Sequence, residues 1–122
     1  LQALNTGHDG SLSTGHANSP KDMLSRLESM VLMGMDLPLG AVQRQIASGI
    51  DIIVHLGRLR DKSRKVLEVS EILDYQDGEI LVSPLYRFEE TGEKDGKIQG
   101  TWRKMDDLVH TQKLLAAGYK EV

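Results

Sequence analysis

From Pro20 onward, Met23, Leu27, Met30, Val31 and Met35 recur three and four residues apart, the spacing that lines one face of a helix. Ser19 reads as its N-cap and Pro20 as its first helical residue, where a missing N–H costs nothing. Asp22 supplies an acidic variant of the capping box, and Gly34 marks the end. The methionines of this helix, Met23, Met30, Met33 and Met35, are expected in the core rather than on a partner groove. A second helix follows Pro38, with Leu39, Val42, Ile46 and Ile50 on one face. The period then changes. Ile52, Val54 and Leu56 alternate out of an apolar run, which predicts a strand. Residues 64–73 and 79–88 predict two more, joined by a turn at Asp77-Gly78. Pro84 points the latter strand to an edge or a bulge, because proline offers a ladder no N–H. Residues 97–102 are extended after a turn at Asp95-Gly96, and Asp106 starts a last helix through Leu114 that Gly118 stops. The charged run 58–65 is the most linker-like turn, and residues 1–4 read as a helix tail ended by Thr6-Gly7.

This order describes an α/β piece continuing into an antiparallel meander with a terminal helix. A chain of 122 residues, 39% hydrophobic and 27% charged, suits one ordinary globular domain. At this size about two-thirds of the unfolded surface can be buried, so the core is modest. A net charge of −3 argues against a nucleic-acid binder that relies on a broad basic surface. Without cysteine there is neither disulfide nor thiolate zinc site, which suits a reducing cytosol. No apolar run approaches the roughly 18 residues that cross a bilayer. The start at Leu1 shows no basic-then-apolar signal pattern, so membrane association is expected only through partners.

The candidate chemistry sits in residues 5–20, which hold His8 and His16, two of the four histidines, among glycines and hydroxyls. Such a run makes a poor core strand and a good place for donors beside an anion; the bland alternative is a solvated loop in which His16 caps the helix. One reading takes His8, Asp9 and His16 as ligands of a metal hydrolase. It lacks the i, i+4 pairing that makes a helical metal site, and His55 and His110 fall at a strand end and on the last helix. Another takes the chain as an interaction module. Arg58, Arg60, Arg64 and Lys65 then face the acidic Glu89, Glu90, Glu93 and Asp95 across subunits, although exposed charges are more often simply solvated.

Three stretches decide among these readings. They are Leu1–Ser11 running into His16-Ala17-Asn18-Ser19-Pro20; Arg26–Met33 with Asp36-Leu37-Pro38 and Gln45–Ser48; and Ile50–Leu56 with Arg58–Asp61 and Ser63–Val66. Together with Phe88–Gly92, Gly96–Gly100 and Leu115–Gly118, they resemble the type II/type IV secretion ATPases over essentially the whole chain. The similarity is to the branch that drives tight-adherence (Tad) pili, the CpaF-like proteins. The resemblance implies the C-terminal portion of a RecA-like P-loop ATPase domain, divided into a histidine-box α/β part (1–58) and a meander with terminal helix (59–122). It makes residues 11–14 a strand. It makes His16 and His8 the catalytic histidines and gives Thr14 and Ser13 the sensing of the γ-phosphate. Arg58 and Arg60 become subunit-interface residues. Gly15 stands where relatives of that branch carry a bulkier apolar residue.

The resemblance also says what lies elsewhere. A phosphate-cradling loop of the form Gly-x4-Gly-Lys-Ser/Thr does not occur in this chain. Gly92-Glu93-Lys94-Asp95-Gly96-Lys97-Ile98 is one residue short and ends on an apolar side chain. That loop and the acidic Walker B pair are expected before Leu1. The implied parent is a hexamer that uses ATP and Mg2+ to power pilus assembly or secretion. It is expected in the cytoplasm, held at the inner membrane by platform proteins and without a nucleic-acid partner. This chain alone is expected to bind no cofactor and to be inactive.

Overall fold

The first helix begins where its cap is. Ser19 Oγ accepts the N–H of Asp22 at 3.0 Å, and the helix runs Pro20–Gly34 (α1). The Asp22 carboxylate reaches back past Ser19 to the N–H of Asn18 (3.0 Å), closing the capping box one residue further out. That bond, opposed by desolvation and helped by Arg26, holds the Asp22 carboxyl below its ordinary value. The computed structural model describes residue 12 and residues 14–34 and 37–120. After α1 come α2 (Leu39–Gly49), β1 (Ile52–Arg58), β2 (Arg64–Gln76), β3 (Glu79–Lys94), β4 (Lys97–Lys104) and α3 (Gln112–Ala116). The predicted helix at residues 1–4 lies outside the described residues. Of the predicted strand at 11–14, Leu12 and Thr14 are described; neither is in a strand and both are exposed. With Leu12 packed on nothing, no apolar burial holds this segment extended.

Two compact units share the sheet strands. The described residues up to Ile53, with Ile72–Val82, form the first. Its core is Leu24 of α1, Val42 and Ile46 of α2, Ile72 of β2 and Ile80 of β3. Leu27, Val31, Leu37, Ala47, Ile50, Ile53, Tyr75 and Val82 pack around them. The methionine expectation fails at two positions: Met30 is 66% and Met33 88% exposed, whereas Met23 is half-buried and Met35 lies outside the described residues. Met33 lies nine residues past Leu24, which at 3.6 residues per turn is about half a turn round the helix from the buried stripe. Ile50 leaves α2 as its extended C-cap but still packs on the core, whereas Leu39 is exposed. Gly40 matters because a Cβ there would sit 3.3 Å from the hydroxyl of Tyr75, whose ring also carries the guanidinium of Arg44 at 5.3 Å.

The second unit comprises Val54–Glu71 and the described residues from Ser83 onward. The four strands are ordered β1-β2-β3-β4, each hydrogen-bonded to its neighbours. Their connections are too short for a parallel crossover, so the sheet is antiparallel throughout. Asp77-Gly78 and Asp95-Gly96 take positive φ at all four residues (51°, 80°, 53° and 76°), the type I′ signature predicted for both hairpins. The β4 ladder reaches back on β3 only to Tyr86, which leaves Pro84 on a stretch without a β4 partner. β3 extends past residue 88 to Lys94 because β4 pairs with its charged end, through an irregularity between Glu90 and Gly92. The terminal helix is shorter than predicted. It starts at Gln112, while Asp106 accepts the N–H of Asp107 (2.8 Å) and the hydroxyl of Ser83 (3.5 Å) instead of capping it. Its end follows the sequence. Gly118 at φ 101° lets Tyr119 N–H reach the carbonyl of Leu114 and its own N–H reach that of Leu115, both at 3.1 Å.

β1 is a strand as predicted, but with its faces exchanged. Ile52, Val54 and Leu56 are exposed (41%, 54% and 65%), and Ile53, His55 and Gly57 are half-buried. The loop after it is tight: Leu59 N–H donates to Ser63 O (2.8 Å), Lys62 N–H to Leu59 O (2.9 Å), and Lys62 takes a φ of 70°. A left-handed lysine pays for the clash of its Cβ, and glycine does not. Lys62→Gly is therefore expected to stabilise the chain by about 0.5–1 kcal/mol. Urea unfolding checks this, through a higher midpoint at unchanged slope.

Candidate functional site

Residues 14–18 lead into the capped end of α1. Thr14, Gly15, His16 and Asn18 are exposed. His16 does not cap the helix, since Ser19 Oγ has that role and Asp22 holds Asn18 N–H. Gly15 brings the loop close to α1: a Cβ there would lie 2.5 Å from Cε of Met23. Asp22 also receives Nε of Arg26 at 3.3 Å, leaving the outer nitrogens of that guanidinium free of this bond. The loop thus holds an imidazole and a hydroxyl in water beside a fixed helix end. His8 and Ser13 lie outside the described residues, so the structure tests only the His16 and Thr14 half of the predicted group. Among the described residues, no three of His, Asp and Glu come together in a way that could hold a metal ion; His8 and Asp9 lie outside them.

The predicted interface arginines separate. Arg60 makes a two-pronged ion pair with Glu90, one nitrogen at 2.8 Å, and lies 3.8 Å from Glu93. The Glu90 bond and charge push the Arg60 guanidinium's pKa up, and Arg60 in turn holds the Glu90 carboxyl low. Charges that the sequence sets against each other across subunits therefore meet inside one chain. Arg58 is exposed, at the end of β1. Between them in sequence stands Asp61, whose carboxylate accepts Ser63 Oγ (2.5 Å), Ile98 N–H (2.8 Å) and Ser63 N–H (2.9 Å). These bonds, the Ser63 hydroxyl first, lower its pKa to about 2 and tie the hairpin loop to β4.

Two carboxylates organise the rest of this unit. Glu68 is pushed up by burial, but Ser70 Oγ (2.6 Å), Arg87 Nε (2.8 Å) and the Arg87 and His55 charges outweigh this and leave it lowered. His55 lies within β1 rather than at its end. Glu71 is 1% exposed, and its two oxygens accept Val109 N–H (2.8 Å) and His110 N–H (2.9 Å). His110 accordingly lies ahead of α3, not on it. Trp102 of β4 meets Phe88 of β3 edge-on at 5.5 Å and donates its indole N–H to the carbonyl of Val66 at 2.7 Å. Sequence reasoning missed Glu71 and Asp61. Each left a signal: a charged residue inside the run Val69–Leu73, and an Asp-x-Ser tight-turn pattern.

Comparison with known proteins places this geometry in context. A family model described as type II/IV secretion system protein matches residues 1–111. A putative conjugal transfer protein of Mycobacterium tuberculosis is 34% identical over 80 residues, which cover 66% of this chain and 22% of that relative. The conjugal transfer protein TrbB of Rhizobium radiobacter is 35% identical over 77 residues, 63% of this chain and 23% of the relative. The aligned part of this chain thus corresponds to less than a quarter of the length of these relatives.

Proposed function

We propose that this chain, which belongs to the family of type II/IV secretion system proteins, is the C-terminal part of a hexameric secretion ATPase and carries the histidine box that senses the nucleotide γ-phosphate. The observation that carries the site assignment is the exposed His16, set in a short loop against Met23 beside the Ser19-capped end of α1. Phosphoryl transfer asks little of a protein beyond positioning and charge stabilisation, and a pre-set imidazole donor does both. Thr14 adds a hydroxyl next to it, and His8 and Ser13 complete the group. The bare face of β1 supports the larger domain. Ile52, Val54 and Leu56 lie exposed at alternate positions of β1, apolar surface of the kind that packs against further protein.

ATP is the substrate, and Mg2+ neutralises its phosphate oxygens when bound. Among the described residues no three of His, Asp and Glu come together to hold that ion. What this chain contributes is donor placement: His16 toward the terminal phosphate, Thr14 beside it. The branch we assign from the quoted motifs is that of tight-adherence pilus ATPases, acting at the cytoplasmic side of the inner membrane with platform proteins. The printed names of the relatives favour a second reading, a conjugal-transfer motor of the same family.

Calorimetric titration of Mg-ATP into the 122-residue chain tests the division of labour. We expect affinity weaker than ~1 mM, which corresponds to less than about 4.1 kcal/mol of binding free energy. The phosphate cradle supplies several charge-assisted bonds that this chain lacks. Micromolar affinity would mean a phosphate site of another kind and would sink the proposed reading.

A further inference from the structure

The hairpin between β1 and β2 carries Arg58, Lys62 and Arg64, all exposed. Unlike Arg60, none of them has an ion-pair partner among the described residues. The Leu59–Ser63 pairing sets Arg58 opposite Arg64 across the two strands, an unfavourable place for like charges. Lys62 adds a third cation in a left-handed conformation better suited to glycine. The tip is nevertheless held still, by Asp61 on Ile98 N–H and by Arg60 on Glu90. A fold that accepts repulsion and strain in order to fix three cations in water has placed them for a partner.

The hairpin that leaves β2 at its other end has the opposite charge. Asp74, Asp77 and Glu79 are exposed there and have no ion-pair partner among the described residues. Asp74 bonds only the N–H of its neighbour Tyr75 (2.7 Å), and Asp77 occupies a left-handed φ of 51°. A net charge of −3 disfavours a polyanion as the partner of the basic tip, and the complementary surface is present on the chain itself. The geometry points to a contact between copies of this chain. The basic tip (Arg58, Lys62, Arg64) of one copy docks on the acidic tip (Asp74, Asp77, Glu79) of the next. The two sides of such a contact differ, so repeated head to tail it builds a ring wherever the rotation between copies closes. It rests on the ring reading above and gives that ring a specific contact.

The test uses the full-length protein, mixed from isotope-labelled and unlabelled copies and treated with a zero-length carbodiimide at low salt. Mass spectrometry is expected to find mixed-isotope cross-links from Lys62 to Asp77 or Glu79. Their yield should fall at least tenfold at 1 M salt, where the screening length is about 3 Å. Lys62→Gly should weaken the ring in sedimentation while melting higher than wild type, an outcome that unfolding cannot produce. In sedimentation, R58E/R64E and D77K/E79K should each lose ring mass, and an equal mixture of the two should regain it. Rings intact in both variants, with no mixed cross-link, would overturn the contact and leave the ring reading standing. A wild-type protein that stays monomeric with Mg-ATP would overturn both. Binding of phosphatidylglycerol vesicles that R58E/R64E abolishes, without mixed cross-links, would assign the basic tip to lipid and overturn the proposal.

Discussion

On the reading proposed above, in which the full-length protein is an ATPase, His16→Ala is expected to slow ATP hydrolysis by about 10²–10³-fold, the usual loss when one donor to a developing charge is removed. Nucleotide affinity should change far less, because the phosphate cradle expected outside this chain makes most of the ground-state contacts. The geometry makes the variant clean. The His16 side chain is exposed, and the helix end beside it is held by Ser19 and Asp22 rather than by the imidazole. The substitution therefore removes a chemical group without removing a cap. Steady-state turnover of the assembled ring, with nucleotide affinity measured separately, provides the check. Wild-type turnover in the variant would refute the assignment of His16, and a matched loss of affinity and rate would make it a ground-state binding residue instead.

Glu71→Ala is expected to destabilise the second unit by about 2–4 kcal/mol. Each bond from a charged acceptor to a backbone N–H contributes roughly 1.5–3 kcal/mol, and a buried N–H left bare costs a comparable amount. Both oxygens of this 1%-exposed carboxylate are used, on Val109 and His110, so alanine strands two donors at once. Glu71→Gln is the informative companion. Its amide oxygen can keep one of the two bonds, while its NH₂ must face an N–H, so its loss should fall between wild type and alanine. Hydrogen exchange locates the effect: the amides of Val109 and His110 should lose protection before those of the hairpins. Unchanged exchange at both amides in Glu71→Ala would show that the clamp does not hold this segment.

The elements best read from the sequence are those whose signal is local. Ser19-Pro20 starts α1 at the predicted residue because a cap and a fixed φ act within a few bonds. Asp77-Gly78 and Asp95-Gly96 were both legible, since few other residues tolerate two successive positive φ values. Of the candidate site, the histidine loop was visible as composition and as family motif; His16 and Thr14 are exposed in it, and His8 and Ser13 fall outside the described residues.

The remaining features depended on neighbours distant in sequence. That β1 is a strand follows from its apolar run, but which face is covered depends on what packs against it, and Ile52, Val54 and Leu56 were left bare. Of the stripe that periodicity named for α1, Leu27 and Val31 pack on the core and Met30 does not, while Leu24, outside that stripe, is buried in it. Several apolar stripes compete on such a helix, and only the position of α2 and the strands selects among them. Arg60 has its partner 30 residues away and Glu71 holds amides 38 and 39 residues away. Capping and turn chemistry thus determined where α1 starts and where the hairpins turn, because those free energies arise within a few residues. Which face of each is buried, and which charge meets which, was decided by the tertiary structure alone, because burial and pairing belong to surfaces that exist only once distant segments have met.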